Sequence, residues 1–317
     1  MGRKKYSMFL NTHLFFIVTS VLLLTSCQRQ AYFYSVMSNH SRFPSTFERY
    51  QHPIEVALVL GGGGARGMAH VGVLEVLQKE GIPIDLIVGC SAGSLVGALY
   101  ANCKDAEQVK SLLIRKKRKD FVSANLLNFK FGLFHRKPFI CLMNNCLGDK
   151  KFEDLEIPLV VVATDLCGGK LVSFNKGPIV PTVHASCAVP FYFSPIKYDN
   201  RTLVDGGVAD PIPVQVARDL GAKIVIAVNI EASLEGNYSF NLIDVAVRSA
   251  EIKHMQHGRL CMEDADVIIR PDVGHVGIFE EKNIELYEAG KQAAEKALPL
   301  IKRALDSLET MNQDLFH

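Results

Sequence analysis

The sequence predicts an α/β fold of three layers, in which helices cover both faces of a mostly parallel central sheet. Short apolar runs bounded by glycine or polar residues recur along the chain and have the length of buried strands. Between the first two runs, apolar residues have helical spacing. A strand followed by a crossover helix is the unit from which parallel sheets are built.

The elements are read from these patterns in chain order. The helix after the first strand places Val71, Leu74 and Leu77 on one face and stops before Gly81. Strands are predicted at residues 55–60, 85–88, 159–164, 201–204, 224–228 and 267–269. Helices are predicted over residues 68–80, 94–100 and 284–308.

Composition excludes some classes of partner. The chain has 317 residues, 48% hydrophobic and 21% charged, so it can bury a sizeable core. Its formal net charge of +2 is too small to indicate binding to nucleic acid. The spacing of its eight cysteines matches no zinc site, so no metal is predicted, and apart from Cys27 they are expected to be buried free thiols.

The N-terminus has the pattern of an export signal. Basic residues precede an apolar stretch that ends in Leu-Thr-Ser-Cys at residues 24–27. This ending resembles the bacterial lipobox, which implies cleavage before Cys27 and lipidation of that cysteine. We therefore expect a signal peptide over 1–26, a tether over 27–54, and an exported, membrane-anchored lipoprotein of the bacterial cell envelope. An uncleaved transmembrane anchor is one alternative, because roughly 17 apolar residues is the low end of what spans a bilayer. Another kind of signal is the second.

Between residues 104 and 149 the alternation of strands and helices is lost. The segment carries five consecutive basic residues, 115–119, and a phenylalanine-rich stretch: Phe121, Phe129, Phe131, Phe134 and Phe139. One interpretation is a solvated helix face followed by an irregular cap on the sheet. The other is a lid whose basic residues meet anionic lipid head groups and whose aromatic residues meet acyl chains.

A glycine-rich loop, GGGGARG at residues 61–67, connects the first predicted strand and helix. Glycines bring bare N–H groups close to a ligand, and N–H groups at a helix N-terminus favour negative charge. The loop also contains the G-x-G-x-x-G of dinucleotide sites. However, Asp85 precedes the second strand, whereas a ribose-binding carboxylate follows it. The chain also lacks the Gly-Lys-Ser/Thr of a P-loop, so a nucleotide site is not favoured.

Two further patterns lie at predicted strand ends. Residues 89–93 place Ser91 in a G-x-S-x-G pattern between a strand and a helix, a sharp turn that exposes a serine hydroxyl. Asp205 ends another strand and is followed by two glycines. A hydroxyl nucleophile needs a base within hydrogen-bonding reach, and Asp205 is the candidate. Taken alone, Asp205 would be interpreted as a turn residue that caps local N–H groups.

Together the three patterns resemble the patatin-like phospholipase family, whose members carry a G-G-G-x-R/K-G oxyanion motif, a G-x-S-x-G nucleophile and a D-G-G/A base in this order. The matching residues are Gly62, Gly63, Gly64, Ala65, Arg66 and Gly67; Gly89, Cys90, Ser91, Ala92 and Gly93; and Asp205, Gly206 and Gly207. Within the family the chain looks most similar to bacterial members related to neuropathy target esterase. The resemblance implies a patatin-like catalytic domain over 55–220, with a cap or lid at 104–149. Residues 221–317 are expected to be an α/β extension that completes the same fold.

The resemblance also implies an activity. The implied enzyme is a serine acyl hydrolase of the phospholipase A or lysophospholipase type, which cleaves carboxylic esters of membrane lipids. No cofactor or metal is implied. Asp205 would take the proton of Ser91, and the N–H groups of Gly63 and Gly64 would hold the oxyanion. Arg66 would orient the loop, attract a phosphate, or be a plain surface arginine. The implied partners are a phospholipid or lysophospholipid substrate and a membrane surface, while protein partners stay unknown.

Two other functions stay open. An α/β-hydrolase-type esterase with a Ser-Asp-His triad would use His254, His257 or His275 as its base. A membrane-anchored binding protein with a catalytically silent site would carry the same motifs without turnover.

Overall fold

The computed structural model describes residues 50, 52–124, 132–198, 200–232, 242–277 and 279–314. The predicted signal peptide, Cys27, nearly all of the predicted tether, Phe129, Phe131 and Asp199 lie outside these residues.

Ten strands and nine helices are formed by the described residues. The strands are β1 (Val56–Leu60), β2 (Leu86–Cys90), β3 (Ser123–Ala124), β4 (Phe134–His135), β5 (Leu159–Asp165), β6 (Lys170–Phe174), β7 (Ile196–Tyr198), β8 (Arg201–Asp205), β9 (Ile224–Val228) and β10 (Val267–Ile269). The helices are α1 (Met68–Lys79), α2 (Ala92–Cys103), α3 (Ala106–Leu113), α4 (Arg118–Phe121), α5 (Lys137–Leu147), α6 (Ile179–Ser186), α7 (Val214–Asp219), α8 (Leu242–Cys261) and α9 (Asn283–Asp314).

The main sheet has the strand order β10-β9-β1-β2-β5-β8-β7, and β6 also pairs with β5. The strands from β10 to β5 run parallel, and the pairs that involve β6, β7 and β8 are antiparallel. Along β1, Val56, Leu58 and Leu60 belong to one apolar cluster, while Ala57 and Val59 belong to a second. Both faces of the sheet are therefore buried, and the predicted fold of helices on both faces of a mostly parallel sheet is confirmed.

The position of β5 brings two distant strand ends together. β2 pairs with the first half of β5, β8 pairs with its last three residues, and the pairing with β6 overlaps both. Because a strand has only two edges, β2 and β8 share one edge of β5 and β6 takes the other. Cys90 pairs with Val162, and Asp205 pairs with the next residue, Ala163. The carboxyl ends of β2 and β8 therefore face each other along this edge of β5.

Most predicted elements are found where the patterns placed them. The strands at 224–228 and 267–269 are confirmed to the residue, and α2 and α9 extend a few residues beyond their predicted ends. β6 and β7 were not predicted, because their half-exposed residues form no continuous apolar run.

The segment 104–149 is more regular than expected. It forms α3, α4, the β3–β4 hairpin and α5 rather than an irregular cap. α5 has a proline in its first turn and buries Phe139, Met143 and Leu147, which lie at helical spacing on one face. The helical spacing of these apolar residues was present in the sequence, but the basic and aromatic residues around them made it hard to recognise.

The cysteines of the described residues are all free thiols. Cys90 and Cys187 are buried as expected, and Cys103, Cys146 and Cys261 are half-buried. Cys141 and Cys167 are exposed, so the expectation of burial is wrong for these two. Within the described part of the chain, no cluster of His, Cys, Asp or Glu could hold a metal ion. No helix of that part has the length and apolar character needed to cross a membrane.

Candidate active site

Ser91 lies on a strained turn between β2 and α2. Its φ of 50° and ψ of −117° are rare for a residue with a side chain, and such conformations cost on the order of 1–3 kcal/mol. The neighbouring glycines are required by space. A Cβ on Gly93 would lie 2.0 Å from the carbonyl oxygen of Leu60, and one on Gly89 would lie 2.6 Å from Cα of Ser94. The predicted glycine pattern therefore has a steric cause.

The end of α6 holds the backbone of Ser91 from both sides. The N–H of Ser91 donates to Oγ of Ser186 at 2.9 Å. Its carbonyl oxygen accepts from Sγ of Cys187 at 3.1 Å and from Oγ of Ser94 at 2.7 Å. These bonds satisfy the buried polar groups of a turn that would otherwise relax. The sequence patterns assigned no role to Ser186 or Cys187.

Asp205 is buried beside Ser91, with 6% of its surface exposed. Ser91 Oγ donates to Asp205 Oδ2 at 2.6 Å, and the N–H of Gly207 donates to Oδ1 at 2.8 Å. Thr164 Oγ1 donates to the carbonyl oxygen of Asp205 at 2.8 Å. A Cβ on Gly206 would lie 2.6 Å from a carbonyl oxygen of β5, so the glycine permits this close approach. The structure thus brings the predicted hydroxyl and carboxylate into contact.

Burial raises the pKa of Asp205 to about 6. The hydrogen bonds from Ser91 and Gly207 oppose this rise, as does the charge of Arg136, because all three favour the carboxylate. At neutral pH the group is therefore ionised but binds a proton more readily than an exposed aspartate. A carboxylate in this state is suited to accept a proton from a hydroxyl and to return it.

Arg136 is a buried cation next to this pair that the sequence analysis missed. Its Nη1 donates to the carbonyl oxygen of His184 at 2.6 Å, and its guanidinium lies 4.2 Å from the ring centre of Phe139 and 4.7 Å from that of Phe193. Its charge also acts on the carboxyl group of Asp205 and on the thiol of Cys187. No ion pair joins it to a carboxylate within the described residues. Its positive charge is therefore balanced by rings, carbonyl and thiol groups.

The glycine loop passes beside the serine turn. A Cβ on Gly62 would lie 3.4 Å from Cβ of Ser91, and one on Gly67 would lie 3.2 Å from Cβ of Ala92. Behind the loop, His70 Nε2 lies 2.8 Å from the carbonyl oxygen of Gly61. Burial lowers the pKa of His70 to about 4, so the ring is neutral and Nε2 carries the hydrogen that it donates. No sequence pattern had singled out His70.

Some N–H groups of the glycine loop donate to carbonyl oxygens of the protein itself. The N–H of Gly62 donates to the carbonyl oxygen of Pro211 at 3.0 Å, and that of Arg66 donates to the carbonyl oxygen of Gly63 at 3.3 Å. Gly62 and Arg66 therefore supply no oxyanion donor, which corrects their assignment to the oxyanion hole. Arg66 instead orients the loop, because its Nε donates to the same carbonyl at 2.8 Å.

The N–H of Gly61 donates to the carbonyl oxygen of Val228 at 3.1 Å. The N–H groups of Gly63, Gly64 and Ala65 lie at the start of the turn that follows. Among the residues that the structure describes, none of the three has an acceptor. Gly64 begins a 3-10 turn with φ of 60°, a conformation that glycine adopts without strain. Unpaired N–H groups at the start of a helical turn form a site for a negatively charged oxygen.

The histidines proposed for a triad lie elsewhere. His254 Nδ1 is 3.0 Å from the carbonyl oxygen of Gly207, and His257 Nε2 is 2.8 Å from that of Ala209. His275 is exposed. In the described part of the chain, no histidine hydrogen-bonds to the hydroxyl or the carboxylate of the pair. His254 and His257 support the turn after Asp205 instead.

Asp85 has a structural role. Its Oδ2 accepts the N–H groups of Glu55 at 3.0 Å and of Val56 at 2.8 Å. It holds the start of β1, at the opposite end of the strand from the glycine loop. This agrees with the sequence argument against a nucleotide site.

The chain is similar in sequence to known proteins and in fold to a solved structure. The model of the family described as patatin-like phospholipase matches residues 58–218, which are 161 of the 317 residues. The chain is 36% identical over 191 residues to patatin-like phospholipase domain-containing protein 6 of Homo sapiens, covering 58% of this chain and 14% of that protein. It is 36% identical over 187 residues to an uncharacterised NTE family protein of Mycobacterium tuberculosis, covering 57% of this chain and 50% of that protein. The matches thus span at most half the length of these relatives.

Among solved structures, the fold is similar to that of VipD from Legionella pneumophila. The TM-score is 0.51 and the sequence identity 15%, over 80% of this chain and 67% of that chain. All three motifs lie within the span of the family model. The chain belongs to the patatin-like phospholipase family.

Proposed function

We propose that the protein is a serine acyl hydrolase that cleaves carboxylic esters of membrane lipids, of the phospholipase A or lysophospholipase type. Ser91 is the nucleophile and Asp205 its base. The 2.6 Å hydrogen bond between Ser91 Oγ and Asp205 Oδ2, made at a strained turn, carries this proposal. Family membership supports lipid esters as the substrate class.

In the first step, Ser91 Oγ attacks the ester carbonyl carbon while its proton passes to Asp205. The carbonyl oxygen becomes an oxyanion, which the free N–H groups of Gly63 and Gly64 stabilise. Removing one such donor typically raises the barrier by roughly 3 kcal/mol. The N-terminus of α2 adds positive potential at the attacking oxygen.

In the second step, the tetrahedral intermediate expels the alcohol, which takes the proton from Asp205. This leaves an acyl group on Ser91. A water molecule then attacks the acyl carbon and gives its proton to Asp205, and that proton returns to Ser91 Oγ as the fatty acid leaves. The dyad needs no histidine, because the raised pKa of Asp205 lets one carboxyl group serve as both base and acid.

A fluorophosphonate probe tests the nucleophile. The wild-type protein should be labelled, and Ser91→Ala should not. Ser111→Ala is the matched control, because Ser111 is an exposed serine on α3. Wild-type protein that takes no label would favour the silent binding protein, and label that persists in Ser91→Ala would place the nucleophile elsewhere.

The substrate is tested separately. Purified protein is incubated with vesicles of diacyl phospholipid and of lysophospholipid, and the products are resolved by mass, with Ser91→Ala as the blank. Release of fatty acid from either lipid supports the proposal, and the preferred lipid assigns the type. Labelling without release of fatty acid from any lipid ester would contradict the substrate class.

The dyad is separated from a triad by two variants. Asp205→Asn should lower kcat/KM by about 10²–10⁴, because general base catalysis is lost. His254→Ala should retain most of the activity, because the described contacts of His254 are with the carbonyl oxygen of Gly207 and the carboxylate of Glu231 rather than with Ser91 or the Asp205 carboxylate. A loss of several orders of magnitude in His254→Ala would favour the triad.

We further propose that the protein is an exported lipoprotein of the bacterial cell envelope, modified at Cys27. The basic N-terminal residues, the apolar stretch that follows them and the lipobox-like residues 24–27 support the proposal. Globomycin treatment, or Cys27→Ala, should leave the precursor uncleaved in a bacterial host. Normal processing under both conditions would exclude lipidation at this cysteine.

A further inference from the structure

Five consecutive cations, residues 115–119, stand at the surface of the segment between α3 and α4. Four are exposed and Lys116 is half-buried. Within the described part of the chain, none forms an ion pair. Two acidic side chains bond to the backbone of this run instead: Asp120 Oδ2 accepts from the N–H of Lys117 at 2.8 Å, and Glu281 Oε1 accepts from the N–H of Arg118 at 2.8 Å. The side-chain charges are therefore free to meet an external anion.

This cationic turn is fixed to the body of the protein. The side-chain amide of Asn283, at the start of α9, donates to the carbonyl oxygens of Leu113, Ile114 and Lys116 at 3.4, 3.1 and 2.8 Å. Such bonds hold the turn in one conformation. The cations thus form a preformed surface, which favours docking over a hinged motion of this run.

The rings of Phe134 and Phe279 form an aromatic floor that packs against Arg118. The guanidinium of Arg118 lies 4.8 Å from the ring centre of Phe134 and 5.4 Å from that of Phe279. An open cleft of about 420 Å³ is lined by the three cations Lys117, Arg118 and Lys119, by the apolar residues Val122, Ala124 and Phe134, and by Glu281. Positive charge and apolar surface therefore adjoin, which is the combination found on proteins that bind to lipid interfaces.

Two apolar side chains project beside this cleft. Phe191 is 65% exposed and Leu133 is 43% exposed, and the N–H of Leu133 donates to the carbonyl oxygen of Phe191 at 3.4 Å. Phe191 also has a φ of 69°, which is an outlier for a bulky residue. A strained backbone that keeps a large ring in water is unfavourable for the protein alone and points to an apolar ligand.

We propose that Lys117, Lys119 and Arg118, together with Leu133 and Phe191, form a docking surface for an anionic lipid bilayer. The cations meet head-group phosphates, and the two apolar side chains enter the acyl region. The inference rests on the proposed lipid hydrolase function, because docking brings the substrate to the enzyme.

The surface is continuous with the candidate active site. Phe193 packs on Phe134 with ring centres 6.4 Å apart, and on the other side it lies 4.7 Å from the guanidinium of Arg136. Arg136 in turn acts on Asp205. Packed aromatic and cationic side chains thus join the docking surface to the neighbourhood of Asp205.

The chain contains no tryptophan, which permits a clean reporter. Phe191→Trp is made in the full chain with Ser91→Ala, so that no lipid is hydrolysed. With vesicles that contain phosphatidylglycerol and brominated acyl chains, we expect a blue shift and quenching of the tryptophan. The matched control is Leu300→Trp on α9, where Leu300 is 54% exposed, and it should show neither. The reporter reads the depth of residue 191 itself, so an anchor elsewhere in the chain does not produce the signal.

The charge requirement is tested in the Phe191→Trp chain. Lys117→Gln with Lys119→Gln should raise the vesicle concentration for half-maximal quenching by about 30-fold, since each cation near an anionic surface contributes roughly fivefold. Both lysines are exposed and Arg118 is kept, so the stacking on the aromatic floor is preserved. Lys79→Gln with Lys296→Gln, on α1 and α9, removes the same charge and should have no effect. Neutral phosphatidylcholine vesicles, or high salt, should weaken the signal as the double variant does.

A last variant separates docking from folding. Phe191→Asn removes the ring, and asparagine tolerates positive φ, so the melting temperature should be unchanged or higher while hydrolysis of vesicle lipid falls by about tenfold or more. Hydrolysis of a soluble short-chain ester should be unchanged. Equal quenching at positions 191 and 300, or none at either, would overturn the docking surface. Because the quenching assay uses Ser91→Ala, its failure is distinct from a failure of the hydrolase proposal, which the fluorophosphonate assay reports.

Discussion

Asp205→Asn should stabilise the protein at neutral and alkaline pH while it removes the proposed base. Burial raises the pKa of Asp205 from 3.8 to about 6 in the folded state. An acid whose pKa is higher in the folded than in the unfolded state is destabilising once it is ionised. The associated stability is fully present below pH 3.8 and is lost as the pH rises through about 6. Asparagine does not titrate, so it avoids this loss.

The magnitude follows from the shift. A change of about 2 pKa units, at about 1.4 kcal/mol each, corresponds to about 3 kcal/mol. The variant keeps the local hydrogen bonds, because its Oδ1 can accept from Gly207 while its amide donates to Ser91 Oγ. The pKa of about 6 already includes the attraction to Arg136, so this attraction is not subtracted again. We therefore expect a gain of up to about 3 kcal/mol at pH 8, or about 5 °C in melting temperature.

Denaturant unfolding of both proteins at pH 8 and pH 4 measures the effect. The gain should be present at pH 8 and should shrink towards zero at pH 4, where the folded carboxyl group is protonated. Asp306→Asn, at an exposed aspartate on α9, is the control and should show no such dependence. A variant that is less stable than wild type at pH 8, or equally stabilised at both pH values, would refute the buried carboxylate as the source of the energy.

Three further predictions concern the same site. The kcat/KM for a neutral ester should fall tenfold for each pH unit below about 6, because only ionised Asp205 accepts the proton; a flat profile from pH 5 to 8 would contradict this. Arg136→Met should move that acidic limb to higher pH, whereas Arg136→Lys should move it less, because the cation lowers the pKa of Asp205. Gly93→Ala should lower the free energy of unfolding in urea by about 3 kcal/mol, because its methyl group would lie 2.0 Å from a backbone oxygen. Gly97→Ala on the same helix is the control and should lower it by less than about 1 kcal/mol, because its methyl group would come no closer than 3.0 Å to a side-chain methyl group.

Contacts between residues that are close together in the chain are the part of the site that the sequence predicts. Gly89 is required because a Cβ there would meet Ser94 of the same turn, so its spacing from Ser91 could be read from the chain. Gly93 is required by Leu60 at the end of the neighbouring strand β1. The buried strands were recognised because each forms an apolar run. The contact between Ser91 and Asp205 has a less local cause, since it depends on β2 and β8 sharing one edge of β5. Only the family resemblance anticipated it.

The missed residues act across long stretches of chain. Ser186 and Cys187 hold a turn that lies 95 and 96 residues earlier in the sequence. His70 is buried inside a helix whose apolar pattern gave no reason to single out one imidazole. A sequence pattern records spacing along one element. It cannot show which side chain of one element satisfies a backbone group of another, and these contacts follow only from packing.

Arg136, in the segment 104–149, is another buried residue whose contacts are with distant parts of the chain. Arg136 is 8% exposed, and its guanidinium is held by the carbonyl oxygen of His184 and the rings of Phe139 and Phe193. A buried charge deprived of its partners is strongly unfavourable, so α5, which begins after Arg136, cannot swing away while the guanidinium stays in place. We therefore infer that α5 is a wall of the site rather than a lid. The cation at its start lowers the pKa of Asp205, so the packing of this wall and the strength of the proposed base are set by the same residue.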